Sequence, residues 1–165
     1  MMVLAAVYIE GTGSSDGTPD YNKAVEWYVK AADLGNADAA MMIGQLFSQG
    51  TPDFKADYSK AIKWYVKAAG LGNSYAMLNL GLIYYEGKFN PENKPDYKEA
   101  IGWYKKSADL GDSGAMYSMG MMYEQGKGTG KTSDYKTALE WYTKSANLGN
   151  TSAKEKILEL QKVVK

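Results

Sequence analysis

The stretch D-Y-S-K-A-I-K-W-Y-V-K-A-A-G-L-G-N, residues 57–73, decides the fold because closely similar stretches begin at Asp20, Asp96 and Asp134. Each copy holds one of the four Trp residues of the 165-residue chain, and these lie 37, 39 and 38 residues apart. A fixed period in this range is the signature of a solenoid, in which stacked repeats bury a continuous core.

Each copy predicts one helix, called helix B here. The opening Asp is a good N-cap residue, because its carboxylate can accept a bond from a free backbone N–H group. A Lys near the end suits the negative end of the helix dipole, and the Gly that follows can adopt a left-handed C′ conformation. Ala and Tyr recur between these signals at helical spacing, which predicts an apolar face.

A second pattern, A-x-x-x-[ILM]-G-x-x-[YF]-x-x-G, follows three of the copies at residues 39–50, 76–87 and 115–126. It predicts a helix A, capped by the Asn or Asp that ends each helix-B motif. A Gly inside a helix costs about 1 kcal/mol relative to Ala. Its recurrence therefore indicates that a large side chain of a neighbouring helix lies over it, and the Trp of helix B is the natural candidate.

The spacing of the two patterns predicts repeat units at residues 1–36, 37–73, 74–112 and 113–150, in one domain spanning 1–165. The segment 1–9 is apolar, and the repeat register favours a helix A over a signal-peptide core because no positive residues precede it. Residues 151–165 begin like a helix A, then become largely polar, and are interpreted as a capping helix. The expected chain has nine helices and no strands.

The two patterns together resemble the Sel-one-like repeat (SLR) family, a branch of the tetratricopeptide-like solenoids. The resemblance covers almost the whole chain, although Ser107 and Ser145 replace an Ala and the Cys pairs of some secreted members are absent. It implies an all-α fold: a right-handed α/α superhelical solenoid of about four two-helix repeats plus a C-terminal capping helix. It also implies a scaffold or adaptor that binds another protein, without naming that protein.

Composition argues against several other classes of protein. Without Cys or His, the chain lacks thiol chemistry, the usual general base and the commonest zinc ligand. All 19 basic residues are Lys and they equal the acidic residues in number, so the positive footprint of a nucleic-acid-binding protein is missing. No apolar run is long enough to span a membrane. We therefore expect no enzyme, no cofactor, no metal, no nucleic acid and no membrane span.

Two short motifs could still suggest chemistry. The segment 126–132, G-K-G-T-G-K-T, resembles a phosphate-binding P-loop, but its first Gly is out of register and it follows a helix rather than a strand. Ser133 and Lys136 match the S-x-x-K spacing of some serine hydrolases, yet the repeat motif itself places residues between them. Both are interpreted as loop and helix-start sequence.

In tetratricopeptide-like stacks the A helices line the concave face, so the resemblance predicts where a partner would bind. Outward positions, counted from the Gly of each helix A, form a stripe with an acidic rim that should favour a basic or hydrogen-bonding ligand over an acidic one. Met suits an adaptable surface of this kind. The predicted partner-binding groove consists of Met41, Gln45, Ser48, Leu78, Leu82, Tyr85, Glu86, Tyr117, Met121 and Glu124.

Several alternatives stay open at this point. The Met and Leu side chains of the stripe could serve only to pack one helix A against the next. A hydrolase-type enzyme on an SLR scaffold and a purely structural, self-assembling solenoid are the other functions. A monomer is expected, and the compartment is open between the cytoplasm and the periplasm or exterior.

Overall fold

The computed structural model describes residues 1–130 and 132–163. Lys131 of the P-loop-like segment and the last two residues of the predicted cap therefore lie outside the described part. The described residues form nine helices and no strand beyond an isolated bridge in the loop after the third helix. The helices are α1 Met2–Ile9, α2 Tyr21–Asp33, α3 Ala37–Gln49, α4 Tyr58–Gly70, α5 Ser74–Glu86, α6 Tyr97–Asp109, α7 Ser113–Glu124, α8 Tyr135–Asn147 and α9 Thr151–Val163.

The chain divides into two compact units, Met1–Ala76 and Met77–Lys165. In the first unit, α1, α2, α3 and α4 each pack against the next helix in sequence. In the second unit, α6, α7, α8 and α9 do the same. This all-α helical repeat confirms the predicted fold class.

The predicted cap residues begin the B helices. The Asp57 carboxylate, for example, accepts a hydrogen bond of 2.9 Å from the backbone N–H of Lys60. Asp20, Asp96 and Asp134 cap α2, α6 and α8 in the same way. Each B helix ends at a Leu followed by a Gly with φ near +90°, and the Asn or Asp after that Gly caps the next helix A.

Two alanines in every repeat allow the helices to approach closely. One lies in helix B and one in helix A, and all of them are fully buried. Because an Ala side chain is a single methyl group, backbones can come near each other at these points and larger side chains fill the space between. The alanines are Ala24, Ala61, Ala100 and Ala138 in B helices, and Ala39, Ala76, Ala115 and Ala153 in A helices.

The side chain over the helix-A Gly is Tyr, and the prediction of Trp is wrong. A Cβ added to Gly44 would lie 2.6 Å from Cδ1 of Tyr65, so only Gly leaves room for the ring. Gly81 and Gly120 lie in the same way beneath the rings of Tyr104 and Tyr142. Successive helix residues point about 100° apart, so burying the Tyr turns the preceding Trp away from the Gly.

The four Trp residues are only half-buried, and each is partly covered by a Lys three residues further along its own helix. The Lys Nζ atoms lie 4.0–5.1 Å from the ring centroids, within the range of cation–π attraction. The pairs are Trp27–Lys30, Trp64–Lys67, Trp103–Lys106 and Trp141–Lys144.

The last helix, α9, closes the second unit. Ala153 and Leu160 are buried in a cluster with Ala138 and Tyr142 of α8, while Leu158 stays exposed. Leu158 stands where helix A of the other repeats has its Gly, so α9 offers no bare backbone to a further Tyr. This arrangement agrees with the prediction of a largely polar capping helix.

Candidate partner-binding surface

The three predicted groove residues of the first unit lie together on α3 and are all half-buried. The Ser48 hydroxyl donates to the backbone oxygen of Gln45 at 2.9 Å and lies 3.1 Å from the hydroxyl of Tyr65. Met41 lies one turn before Gln45 on the same helix. Ser48 is thus the polar partner of a buried Tyr, and its position in the stripe serves the fold.

In the second unit, α5 and α7 lie side by side and touch near both ends. Close to their N-termini, a Cβ added to Gly114 would meet Cδ2 of Leu78 at 3.2 Å, so the missing side chain makes room for the Leu. Close to their C-termini, the Tyr85 hydroxyl donates to Oε1 of Gln125 at 3.2 Å. The predicted residues Leu82, Tyr117 and Met121 lie between these two contacts along the helices.

These three residues differ in how far the fold already uses them. Leu82 is exposed, with 36% of its surface accessible. The Tyr117 ring lies 5.3 Å from the ring of Tyr142 in a tilted arrangement, and Met121 packs against the same buried cluster. Tyr117 and Met121 nevertheless keep part of their surface accessible. The second unit therefore presents an apolar strip, here called the α5–α7 strip: Leu78, Leu82, Tyr85, Tyr117 and Met121.

A cation that the sequence reasoning missed lies at one end of the α5–α7 strip. The Lys127 ammonium donates to the Tyr85 hydroxyl at 3.0 Å and lies 4.8 and 5.1 Å from the ring centroids of Tyr85 and Tyr97. The bond to Tyr85 raises the pKa of Lys127, so the ammonium stays charged at neutral pH. Tyr85 and Lys127 lie 42 residues apart, and only the packing of α5 against α7 brings them together.

The acidic residues of the predicted rim have internal partners. Glu86 pairs with Lys88 at 2.7 Å. Glu124 accepts a hydrogen bond of 2.5 Å from the Tyr142 hydroxyl and pairs with Lys156 at 3.3 Å. Burial, followed by the Glu124 carboxylate, raises the pKa of Tyr142 well above its ordinary value. Together with Lys127, these pairs remove the basis for a general preference for basic ligands.

The two motifs that could have carried chemistry are built into the repeat. A Cβ added to Gly128 would lie 2.7 Å from the backbone oxygen of Tyr97, so this part of the Gly-rich loop packs against helix α6. Asp134, between the Ser and Lys of the S-x-x-K motif, caps α8 by accepting the Thr137 N–H at 3.0 Å. In the described part of the chain, no group of three or more acidic side chains could hold a metal ion. None of the described helices is long and apolar enough to cross a membrane.

The fold is that of an all-α helical repeat protein, and comparison with known proteins gives the family. The Sel1 repeat family matches at residues 1–36, 37–73, 74–112 and 113–150. The chain belongs to the Sel1 repeat family. Sel1 repeats mediate protein interactions, and the fold is typically a non-enzymatic scaffold.

Solved structures with the same fold include a Sel1 repeat protein from Oxalobacter formigenes, with 36% identity and a TM-score of 0.76 over 92% of this chain and 58% of that one. The protective antigen c5321 of uropathogenic Escherichia coli strains, which displays an SLR fold, shares 31% identity with a TM-score of 0.77 over 96% of this chain and 32% of that one. Cysteine rich protein B of Helicobacter pylori is 26% identical, with a TM-score of 0.59 over 80% of this chain and 90% of that one. The chain thus spans 58% and 32% of the first two relatives. No curated protein sequence matches it.

Proposed function

We propose that this chain is an adaptor that binds a peptide or helix of a partner protein on the outward stripe of its A helices, with the α5–α7 strip as the main contact. The observation that carries the proposal is Leu82. This leucine is exposed between two neighbouring helices that touch on either side of it, and apolar side chains with accessible surface adjoin it along both helices.

Comparison between repeats supports a special role for the strip. The position of Leu82, one residue after the helix-A Gly, is occupied by Gln45 in the preceding repeat and by Met121 in the following one. A position needed for helix packing in every repeat would keep an apolar side chain. The polar Gln45 shows that the fold accepts a hydrophilic residue there, so the exposed Leu82 is not required by the repeat.

The chemistry of the strip specifies the ligand. Leucine and tyrosine side chains at helical spacing fit the apolar face of an amphipathic helix, and a strip bounded by two parallel helices provides the shallow groove that such a helix occupies. The charged groups at the ends are already paired, so the ligand needs few charges of either sign. Affinity should come from one or two large apolar anchors near Leu82.

The test is to select binders from a display library of helical peptides on the full chain, and to measure their affinity for variants by fluorescence anisotropy. Leu82→Glu should weaken binding at least tenfold, because it places a charge at the centre of an apolar contact. Leu158→Glu is the matched control: Leu158 is more exposed than Leu82 but lies on α9, and its substitution should leave affinity unchanged.

The proposal makes Leu82 the discriminating residue. Selected peptides that bind Leu82→Glu as tightly as the parent chain, or a library that gives no binder above background, would argue against the strip as the docking surface. Circular dichroism of each variant must first show an unchanged helix content and unfolding midpoint.

A further inference from the structure

A second surface, on α1, lies apart from the α5–α7 strip and does not depend on the proposed function. Helix α1 has no charged residue between Met2 and Ile9. A helix that is apolar all round is ordinarily covered on all sides. Here Val3 is 76% exposed and Leu4 is 42% exposed. The structure therefore leaves an apolar face of α1 open.

The repeats show what covers this face elsewhere. In the repeat register, Ala5 corresponds to the helix-A Gly, so Leu4 corresponds to Ile43 in α3 and to Met119 in α7. Ile43 is fully buried and Met119 is 2% exposed. Met119 is buried in a cluster with Ala100 and Tyr104, which lie four residues apart on the preceding helix α6. The cover of this position is thus one face of a helix B.

The neighbouring end of α2 offers a charge that such a helix would complement. In the first unit, Lys67 of α4 pairs with Asp33 at the end of α2, at 2.6 Å. Lys30 is the counterpart of Lys67 one repeat earlier, and it is exposed, with its Nζ 4.1 Å from the ring centroid of Trp27 on its own helix. A helix B with an Asp at the position of Asp33 would place a carboxylate next to Lys30.

A concavity of about 430 Å³ joins the two features. It is lined by residues from the start of α1 and the end of α2: Met1, Met2, Val3, Ala31, Leu34 and Asn36. The apolar face, the concavity and the cation are continuous, and together they repeat the surface that a preceding helix B meets inside the repeats.

We infer that this surface, here called the α1 face, binds a helix of the helix-B kind carried by another Sel1-type polypeptide. The bound helix has an Ala and a Tyr four residues apart facing Leu4, and an Asp near its end facing Lys30. A second copy of this chain packed α1 against α1 would meet Leu4 with more aliphatic side chains and would bring no carboxylate to Lys30. Charge complementarity therefore favours the helix-B occupant.

The experiment uses a fluorescent peptide with the sequence of residues 96–112, which holds the Ala-x-x-x-Tyr step and an Asp at position 109. Isolated helices of this length are marginal in water. A side-chain staple between positions 98 and 102, both exposed in α6, therefore fixes the helix before binding. Titration of the full chain should give saturable binding, measured by anisotropy.

Variants of the α1 face locate the contact. Leu4→Glu should weaken binding of the stapled peptide at least tenfold, and Val3→Glu, at a more exposed position that the fold tolerates more easily, should weaken it several-fold. Leu158→Glu is the control and should have no effect. A charge exchange tests the polar contact: Lys30→Glu should weaken binding of the parent peptide, and the peptide with Asp109→Lys should recover at least part of the loss.

Three results would overturn the inference. One is the absence of saturable binding by the stapled peptide. Another is binding that Leu4→Glu and Val3→Glu both leave unchanged. The third is a concentration-dependent dimer, seen in analytical ultracentrifugation, that Val3→Glu abolishes and the peptide does not compete with, because a second copy would then be the occupant. Binders of the α5–α7 strip should be unaffected by Val3→Glu, so failure of either proposal can be recognised separately.

Discussion

Three consecutive residues of α4 make the packing of the repeat measurable. Tyr65 is 1% exposed, with its ring over Gly44 and its hydroxyl bonded to Ser48. Trp64 is half-buried and partly covered by the Lys67 ammonium. The next residue, a valine, is 45% exposed. Replacing each in turn with Ala samples three directions around one helix with the same backbone.

The expected losses follow from these surroundings. Tyr65→Ala removes a fully buried aromatic ring and should cost about 3–5 kcal/mol. Trp64→Ala removes a ring that buries only part of its surface, plus a cation–π contact of about 0.5–1 kcal/mol, and should cost about 1–2 kcal/mol in all. Val66→Ala should lie within about 0.5 kcal/mol of the parent, as exposed substitutions usually do.

The assay is urea denaturation followed by circular dichroism at 222 nm, because the Trp variant changes the fluorescence signal. Repeat proteins can lose two-state behaviour, so the slopes of the transitions must agree before the free energies of unfolding are compared. Tyr65→Phe supplies a further check: the ring stays, and the loss should be only about 1 kcal/mol for the hydrogen bond. If Trp64→Ala proved as costly as Tyr65→Ala, the assignment of the Tyr rather than the Trp to the core would be refuted.

Two other predictions concern glycines and caps. Gly102→Ala, with nothing within 4 Å of the added Cβ, should stabilise the chain by about 0.5–1 kcal/mol, whereas Gly120→Ala would push into the Tyr142 ring and should destabilise it by about 1–3 kcal/mol; thermal unfolding that shifted both in the same direction would contradict this. The backbone N–H of Lys60 lowers the pKa of Asp57, so the stability from this carboxylate is present above the unfolded-state pKa of about 3.9 and is lost as the pH falls through the lower folded-state value. Asp57→Asn keeps the cap without a titrating group, so its stability relative to the parent should improve between pH 5 and pH 2, and an unchanged difference over that range would count against the assignment.

The repeat period, the caps and the helix order could be read from the sequence because each depends on neighbours within a few residues. Asp57 and Gly72 act on the backbone next to them, so their spacing alone predicts where α4 begins and ends. The exchange of Trp for Tyr at the helix-A Gly could not be read in this way. Both residues recur in every repeat, and the choice depends on how far helix B is rotated against its neighbours.

The binding stripe shows the same limit in its polar residues. Glu124 seemed to be a free carboxylate at a rim, but its partners Tyr142 and Lys156 are 18 and 32 residues away. Lys127 contacts a Tyr 42 residues earlier. Contacts over such distances depend on the packing of three helices, which no local pattern records. The charge of the rim was therefore the least predictable property of the surface.

Variation at a regular helical position is evidence of partner contact only where the fold makes no use of the varying side chain. Four residues after the helix-A Gly, the first and last complete repeats carry Ser48 and Glu124, which differ in size and charge. Yet both form a hydrogen bond with the buried Tyr of the next helix B, so the fold itself requires a polar partner there. One residue after the Gly, no such requirement holds, since Gln45 and Leu82 share no internal partner chemistry. The strongest argument for a docking site therefore comes from Leu82 rather than from the more variable residues around it.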